Sequence, residues 1–336
     1  MKRKTALILI LAAAAGLLYG LAGSRKLAEP AEFFRSLPAG RPLVIAHRGG
    51  AGIFPENTLP AFLGSAGLGA DILELDVRRT ADGFLVVIHD ETVDRTTDGS
   101  GPVAGFTLEE LKELDAGYRF RPPNSTGKFP HRGRGLTVPT LHEVFTALPA
   151  KHLIVEVKED DPAAADAVVA LVREFGREGT TLAASFHRRV LLRFRELAPE
   201  LATHATRGEV LRFLPAAWLG LEGLFSPVYG AFLVPPREGA VPLTTRRFIQ
   251  AAKNRNIFTA AWTVNDPAEM RRLLEKGIGG LITDRPDLAR ELIGKEPGPG
   301  RSSTDIPVCG SLATGKNASA TLLPSGLKSF QSEKFR

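Results

Sequence analysis

Residues 43–90 read LVIAHRGGAGIFPENTLPAFLGSAGLGADILELDVRRTADGFLVVIHD, and three apolar runs in this stretch decide the fold. LVIA ends in His47-Arg48, ILELD carries Glu74 and Asp76, and FLVVI ends in His89-Asp90. Buried strands that deliver polar residues at their ends place them on one rim of a sheet or barrel. Only seven residues separate Asp76 from Phe84, with a turn signal at Asp82-Gly83. A parallel crossover needs a dozen residues or more, so the second and third runs are expected to form an antiparallel hairpin. That hairpin returns His89 to the carboxylates, roughly opposite Glu74. Two histidines, an arginine and two carboxylates so placed suit acid–base chemistry on an anion, with a metal nearby.

Downstream of the hairpin, 91–139 is irregular and rich in Gly and Pro, with one helical piece at 107–114. An excursion of that length inside a compact domain is expected to cap a site. A helix at 140–149 follows, and then strands and helices alternate. Leaving out the hairpin's second arm, parallel strands are expected to begin near 43, 72, 153, 181, 201, 223, 257 and 280. Eight β–α units over roughly 250 residues make an α/β chain of the (β/α)8 barrel type, with an insertion of about 77–139 after strand two. Asp266-Pro267 and Gly277 bracket one of the expected helices with a cap, a first-turn proline and a stop. Polar residues gather where strands end: Glu156 and Lys158, Trp262 and Asn265, Thr283 and Asp284.

The ends of the chain differ from its body. Residues 5–24 (TALILILAAAAGLLYGLAGS) carry no charge and follow Lys2-Arg3-Lys4. Twenty residues at about 1.5 Å each span roughly 30 Å, so this segment is expected to anchor the chain in a membrane with the barrel on the extracytoplasmic, periplasmic side. The alternative is a signal peptide cleaved after Gly20-Leu21-Ala22, with secretion to the periplasm. Residues 295–336 lack periodicity and are expected to be disordered. Three segments result: 1–26, the barrel at 27–294, and the tail. The net charge of the 336 residues is +6, yet the two ends carry +8 of it, leaving the body at −2. A nucleic-acid footprint belongs on the folded domain, so nucleic acid is excluded as a partner. The single cysteine, Cys309, excludes an intramolecular disulfide and a thiolate metal site.

The motifs HRGGAGIFPENT, ELDVxxTxDGxxVVxHD, PTLxEVF, VEVK, WTVN and LITDRPDL occur in that order. Over about 43–293 the chain therefore resembles the glycerophosphodiester phosphodiesterase family, whose fold is a (β/α)8 barrel with an insertion after strand two. The resemblance implies hydrolysis of a glycerophosphodiester to glycerol 3-phosphate and an alcohol. It implies that Glu74, Asp76 and Glu156 hold a metal, and all-oxygen ligands suit Ca²⁺ or Mg²⁺. It further implies that His47 and His89 are the catalytic acid and base, in an order the sequence leaves open.

Substrate contacts are expected from Arg48, which can fork onto two phosphate oxygens, and from Lys158 as a point charge. Each could instead pair with Glu56 or Glu156 to neutralise the rim. Glu56 is expected to orient Arg48 rather than ligate metal, and Trp262 to offer a flat wall, although a core role suits it nearly as well. His131, His142, His152, His187 and His204 read as structural or exposed, His187 being the strongest exception. Two other functions compete. One is lysophospholipase D action on a one-tailed lipid, which calls for an apolar groove beside Phe54, Phe120 or the cap. The other is a barrel kept as a binding module, which should have lost a histidine or carboxylate, and none is lost.

Overall fold

The computed structural model describes residues 31–122 and 129–295. The strands are β1 (Leu43–Ala46), β2 (Ile72–Arg79), β3 (Leu85–Val87), β4 (His152–Val157), β5 (Thr181–Ala184), β6 (Ala202–Thr203), β7 (Ala231–Val234), β8 (Arg237–Glu238), β9 (Val241–Pro242), β10 (Phe258–Ala261) and β11 (Gly280–Thr283). Eight of them pair in parallel in the order β6-β5-β4-β2-β1-β11-β10-β7. The remaining seam, β6 to β7, is closed by a single bridge, His204 to Ala231, with Gly230 N–H donating to the Thr203 carbonyl and Ala205 N–H to that of Ala231. The result is the expected (β/α)8 barrel.

Successive residues of a strand face opposite ways, and the barrel uses this period to build two different cores. Inward-facing Ile45, Ile72, Ile154, Leu182, Ala231, Ala260 and Ile282 share one cluster. Outward-facing Val44, Leu73, Leu75, Val155, Ala183 and Leu281 belong to another, packed against the helices. One step further along the inward rows stand His47, Glu74, Glu156, His204, Trp262 and Asp284, with Asp76 a second step along β2. The same alternation that fills the barrel floor with Ile and Ala thus carries polar groups to its upper rim. The floor is plugged by a short helix, α1 (Glu32–Arg35), whose buried Phe33 joins the interior cluster.

The outer helices are α2 (Leu59–Gly67), α4 (Leu141–Ala147), α5 (Pro162–Glu174), α6 (Arg188–Leu197), α7 (Arg207–Leu219), α8 (Arg246–Lys253), α9 (Pro267–Glu275) and α10 (Pro286–Lys295), with α3 (Leu108–Lys112) in the insertion. Their starts follow the sequence. Thr107, Thr140 and Thr206 form capping boxes with the glutamate three residues on, and Asp266 caps α9 ahead of Pro267. Each such cap contributes about 1 kcal/mol. Thr58 caps α2 by accepting from Ala61 N–H, and its neighbour Asn57 turns to the site.

The hairpin forms as expected, with Val77 opposite Val87 and Arg79 opposite Leu85. Its register sets Ile88 N–H on the Asp76 carbonyl, so continuing the pairing brings His89 opposite Leu75, one residue from the Glu74 position to which the turn pointed. The insertion packs a small core of its own around Val86, Ile88, Val93, Val103 and Leu111. One strand was misplaced: GLFSPV (223–228) is a 3-10 turn and loop, and the strand is AFLV at 231–234. Both segments are apolar and short, and only the second has a neighbour to pair with on each side. The membrane assignment also needs correcting. No helix among the described residues is long and apolar enough to cross a membrane, and residues 5–24 lie outside the described residues, so the structure gives anchoring no support. The tail at 296–336 likewise lies outside them.

Candidate active site

The turn after β1 shapes one wall. Arg48, Gly49 and Gly50 take φ of 50°, 76° and 88° in succession, the left-handed region where glycine is at ease and arginine is not. A Cβ on Gly49 would stand 2.8 Å from the Phe62 ring, and one on Gly50 2.7 Å from Ser65 Oγ. Arg48 is held in this conformation from several sides. Its backbone N–H donates to Glu74 Oε2 at 2.8 Å, and its guanidinium lies 3.1 Å from Glu56 and 3.3 Å from Asp76.

Glu74 and Asp76 rise from β2 and Glu156 from β4, where Asp76 and Glu156 are register partners. One oxygen from each lies within 4.8 Å of the others. Asn57 Nδ2 donates to Asp76 at 2.9 Å, and the Lys158 ammonium lies 2.7 Å from Glu156 and 3.3 Å from Asp76. Burial pushes the Glu74 carboxyl up to about 8, and Asp76 adds to the rise. Asp76 itself is drawn below the usual carboxylate range, because Lys158 and Arg48 outweigh its burial. Burial with the neighbouring Asp76 raises Glu156, against the pull of Lys158. A buried carboxyl pushed up by its own burial and by neighbouring carboxylates marks crowded negative charge, which a cation would relieve. The donor set is all oxygen, as a hard divalent ion requires. These residues fit a metal.

The two histidines are built alike and tuned apart. His47 Nδ1 is 2.7 Å from Asp284 Oδ1, and His89 Nδ1 is 2.6 Å from Asp90 Oδ1. A carboxylate at Nδ1 takes that N–H and leaves Nε2 for chemistry. Burial works to lower His47, but Glu74 and Asp284 prevail and its pKa ends raised. For His89 burial prevails, helped by Arg48 and Lys158 against Asp76 and Asp90, and its pKa ends lowered. Asp284 is itself fixed by Asn265 Nδ2 at 2.6 Å. Asp90 is held down to about 2: burial opposes the shift, and bonds from Arg95 and His89 override it. Arg95 reaches onward, both ends of its fork lying 2.7 Å from Glu56 oxygens. One chain of charge-assisted bonds therefore runs His89–Asp90–Arg95–Glu56–Arg48 across the cap side of the site.

The rim encloses a cavity of about 150 Å³ lined by His47, Arg48, Glu74, His89, Glu156, Lys158, Phe186, His204 and Trp262. Seven of the nine expected site residues line this cavity; Asp76 joins Glu74 and Glu156 in the trio without lining it, and Glu56 is paired to Arg48 and Arg95. Lys158 and Arg48 both make the rim-neutralising pairs foreseen for them, while still lining the cavity. Trp262 lines the cavity and meets Phe186 edge to face at 5.5 Å. Four participants escaped the sequence reading: Asn57, Arg95, Phe186 and His204. Of the five remaining histidines, it is His204 and not His187 that reaches the cavity. His187 precedes α6, with Nε2 3.2 Å from the Lys158 carbonyl. Asp284 stood out as a strand-end acid, but its partnership with His47 spans 237 residues and left no local signal.

A family profile described as the glycerophosphoryl diester phosphodiesterase family matches residues 47–288. The chain is 35% identical over 267 residues to a glycerophosphodiester phosphodiesterase of Caldanaerobacter subterraneus subsp. tengcongensis, covering 75% of this chain and 98% of that one. It is 33% identical to another from Bacillus subtilis, covering 74% and 85%. Among solved structures, the glycerophosphodiester phosphodiesterase of Agrobacterium tumefaciens superposes with a TM-score of 0.59 at 30% identity, over 74% of this chain and 99% of the other. An Oleispira antarctica phosphodiesterase, solved with the product sn-glycerol-3-phosphate, does so with a TM-score of 0.61 at 26% identity, over 78% and 99%. The motifs, the barrel and these likenesses agree: the chain belongs to the glycerophosphoryl diester phosphodiesterase family.

Proposed function

We propose that this chain is a metal-dependent phosphoric diester hydrolase that cleaves glycerophosphodiesters to glycerol 3-phosphate and an alcohol. The observation that carries the reading is that two histidines, each clamped by a carboxylate at 2.7 and 2.6 Å, line one cavity with Glu74 and Glu156 of the carboxylate trio. The product bound by the Oleispira antarctica relative supports the substrate class. Glu74, Asp76 and Glu156 would hold a divalent ion, Ca²⁺ or Mg²⁺ by their donor chemistry, and it would supply charge neutralisation and polarisation at a phosphoryl oxygen.

The chain's own groups do the rest. Arg48 and Lys158 bring positive charge to the phosphate, Arg48 held by Glu56 and Asp76 and Lys158 by Glu156 and Asp76. His89, whose pKa is lowered, is neutral at working pH and takes the proton of the attacking oxygen at Nε2. His47, whose pKa is raised, carries a proton at Nε2 and gives it to the departing alkoxide. Asp90 and Asp284 keep each ring oriented and stabilise its charged form. Trp262 walls the organic arm of the substrate.

The test is product analysis of purified protein with glycerophosphocholine, with Ca²⁺ or Mg²⁺ and after chelation. Glycerol 3-phosphate and choline should appear only with metal. Phosphocholine and glycerol as products, or no turnover with either ion, would overturn the reading.

A further inference from the structure

We infer that a hydrocarbon chain on one ester arm of the phosphodiester is bound in an apolar chamber beside the catalytic pocket. This rests on the hydrolase reading above. The chamber measures about 370 Å³ and lies at the upper ends of β5, β6 and β7. Ala205, Val210, Val234, Pro235 and Leu243 line it, and Phe186, His204, Leu233 and Trp262 line both it and the catalytic cavity. The two spaces therefore share a wall of side chains. Phe186 is 63% exposed, and a ring so placed can shift without disturbing the core. The outer wall is the turn between β7 and α8, where β8 and β9 pair and Leu243 N–H donates to the Pro236 carbonyl.

Charge separates this chamber from its neighbour. Its two ionic lining residues, Arg207 and Glu238, neutralise each other at 2.6 Å. His204 is buried, and burial pushes its pKa down to about 4, so it adds no charge. An apolar volume next to a site for an anionic phosphate matches a substrate that is itself amphiphilic. A cationic head group is disfavoured, because the Lys158 ammonium already lies 5.7 Å from the Phe186 ring centroid. The groove sought near Phe54, Phe120 or the cap is thus found on the opposite flank of the rim.

Chain-length series test the inference on the metal-loaded protein. In one arm the chain sits on the departing alcohol: ethyl, butyl, hexyl and octyl esters of glycerol 3-phosphate. In the other it sits on the glycerol, as short 1-acyl derivatives of glycerophosphoethanol. In at least one arm kcat/KM should climb by up to about 4-fold per added methylene until the chamber is full, the factor that corresponds to burying one CH₂. Leu243→Asn should flatten the climb, read as the octyl-to-ethyl ratio within each protein. The uncharged 3,3-dimethylbutyl ester should be turned over at least as well as the choline ester of the same shape.

A flat or falling series in both arms, with the ethyl ester still cleaved, would overturn the inference and leave the hydrolase reading standing. So would a clear preference for choline over its uncharged isostere. If no ester is cleaved, the hydrolase reading fails, and binding still decides the chamber. The chain has two tryptophans, so a Trp218→Phe protein reports Trp262 fluorescence alone. Alkyl phosphates should quench or shift it more tightly as the chain grows, and affinities independent of length would overturn the chamber.

Discussion

Along β2 and β4 the rim carries Glu74, Asp76, Glu156 and Lys158 within a few ångströms of one another, whereas along β5 to β7 the corresponding positions are Ala184, His204 and Leu233. Both flanks grow from the same inward-facing rows of the same barrel. On the first, buried charges must be paired, bonded or bound to a cation, and nearly every atom there has a partner. On the second, most of the lining side chains are apolar, and the space stays open. The charged flank is capped by an insertion with its own core, and the apolar flank only by a two-residue ladder. The comparison shows a barrel whose rim is divided between a charged flank, to which we assign the chemistry, and an apolar flank, to which we assign the hydrocarbon arm.

The largest effect that can break this comparison is loss of a clamped histidine. His47→Gln and His89→Gln should each slow turnover by roughly 10²- to 10⁴-fold while metal binding persists. Near-native turnover in either would remove the charged flank from the chemistry. Removing His187, which lies outside the cavity, should change turnover by less than about 2-fold.

Arg95 gives a subtler test. Its two-sided fork joins Asp90, and so His89, to Glu56, and so Arg48, and it is half exposed, which weakens its pairs. Arg95→Ala should lower kcat by about 10-fold and shift the acid limb of the pH–rate profile, with Arg95→Lys restoring only part of the loss because it cannot fork. An unchanged pH profile would make Arg95 a surface residue.

The profile itself should be a bell. Activity falls on the acid side as His89 gains a proton, at a pKa below the usual histidine value, and on the alkaline side as His47 loses one, at a pKa above it. His89→Gln should erase the acid limb and His47→Gln the alkaline limb. The reverse pairing would exchange their roles.

The smallest of these effects concerns stability. Gly49→Ala must tolerate a Cβ 2.8 Å from Phe62 and a φ of 76°, and should destabilise the chain by about 1 to 3 kcal/mol in chemical denaturation. An unchanged midpoint would mean that the turn after β1 is not fixed by this packing.

What could be read in the sequence follows the same division. Glu74 and Asp76 inside an apolar strand are anomalies, and anomalies are visible without a structure. The seven-residue gap forced the hairpin, because no crossover fits it. Leu233 and Val234 look like core in any apolar run, and the strand that bears them was placed some residues too early at 223–228. Nothing local distinguished one apolar run from the other. Asp284 and Arg95 act across 237 and 39 residues, through contacts that exist only once the barrel has closed. Asn57 carries no signal of its own in the sequence, and its left-handed φ of 56°, with its side chain bonded to Asp76, exists only in the folded turn.

The role proposed for the charged flank stands or falls with the binding of a cation. Protein stripped with a chelator should be inactive toward glycerophosphocholine, and titration with Mg²⁺ or Ca²⁺ should restore glycerol 3-phosphate release in step with the binding of about one ion per chain. Asp76→Asn should abolish both together. Full turnover by stripped protein with no ion bound, or binding undiminished in Asp76→Asn, would contradict the account.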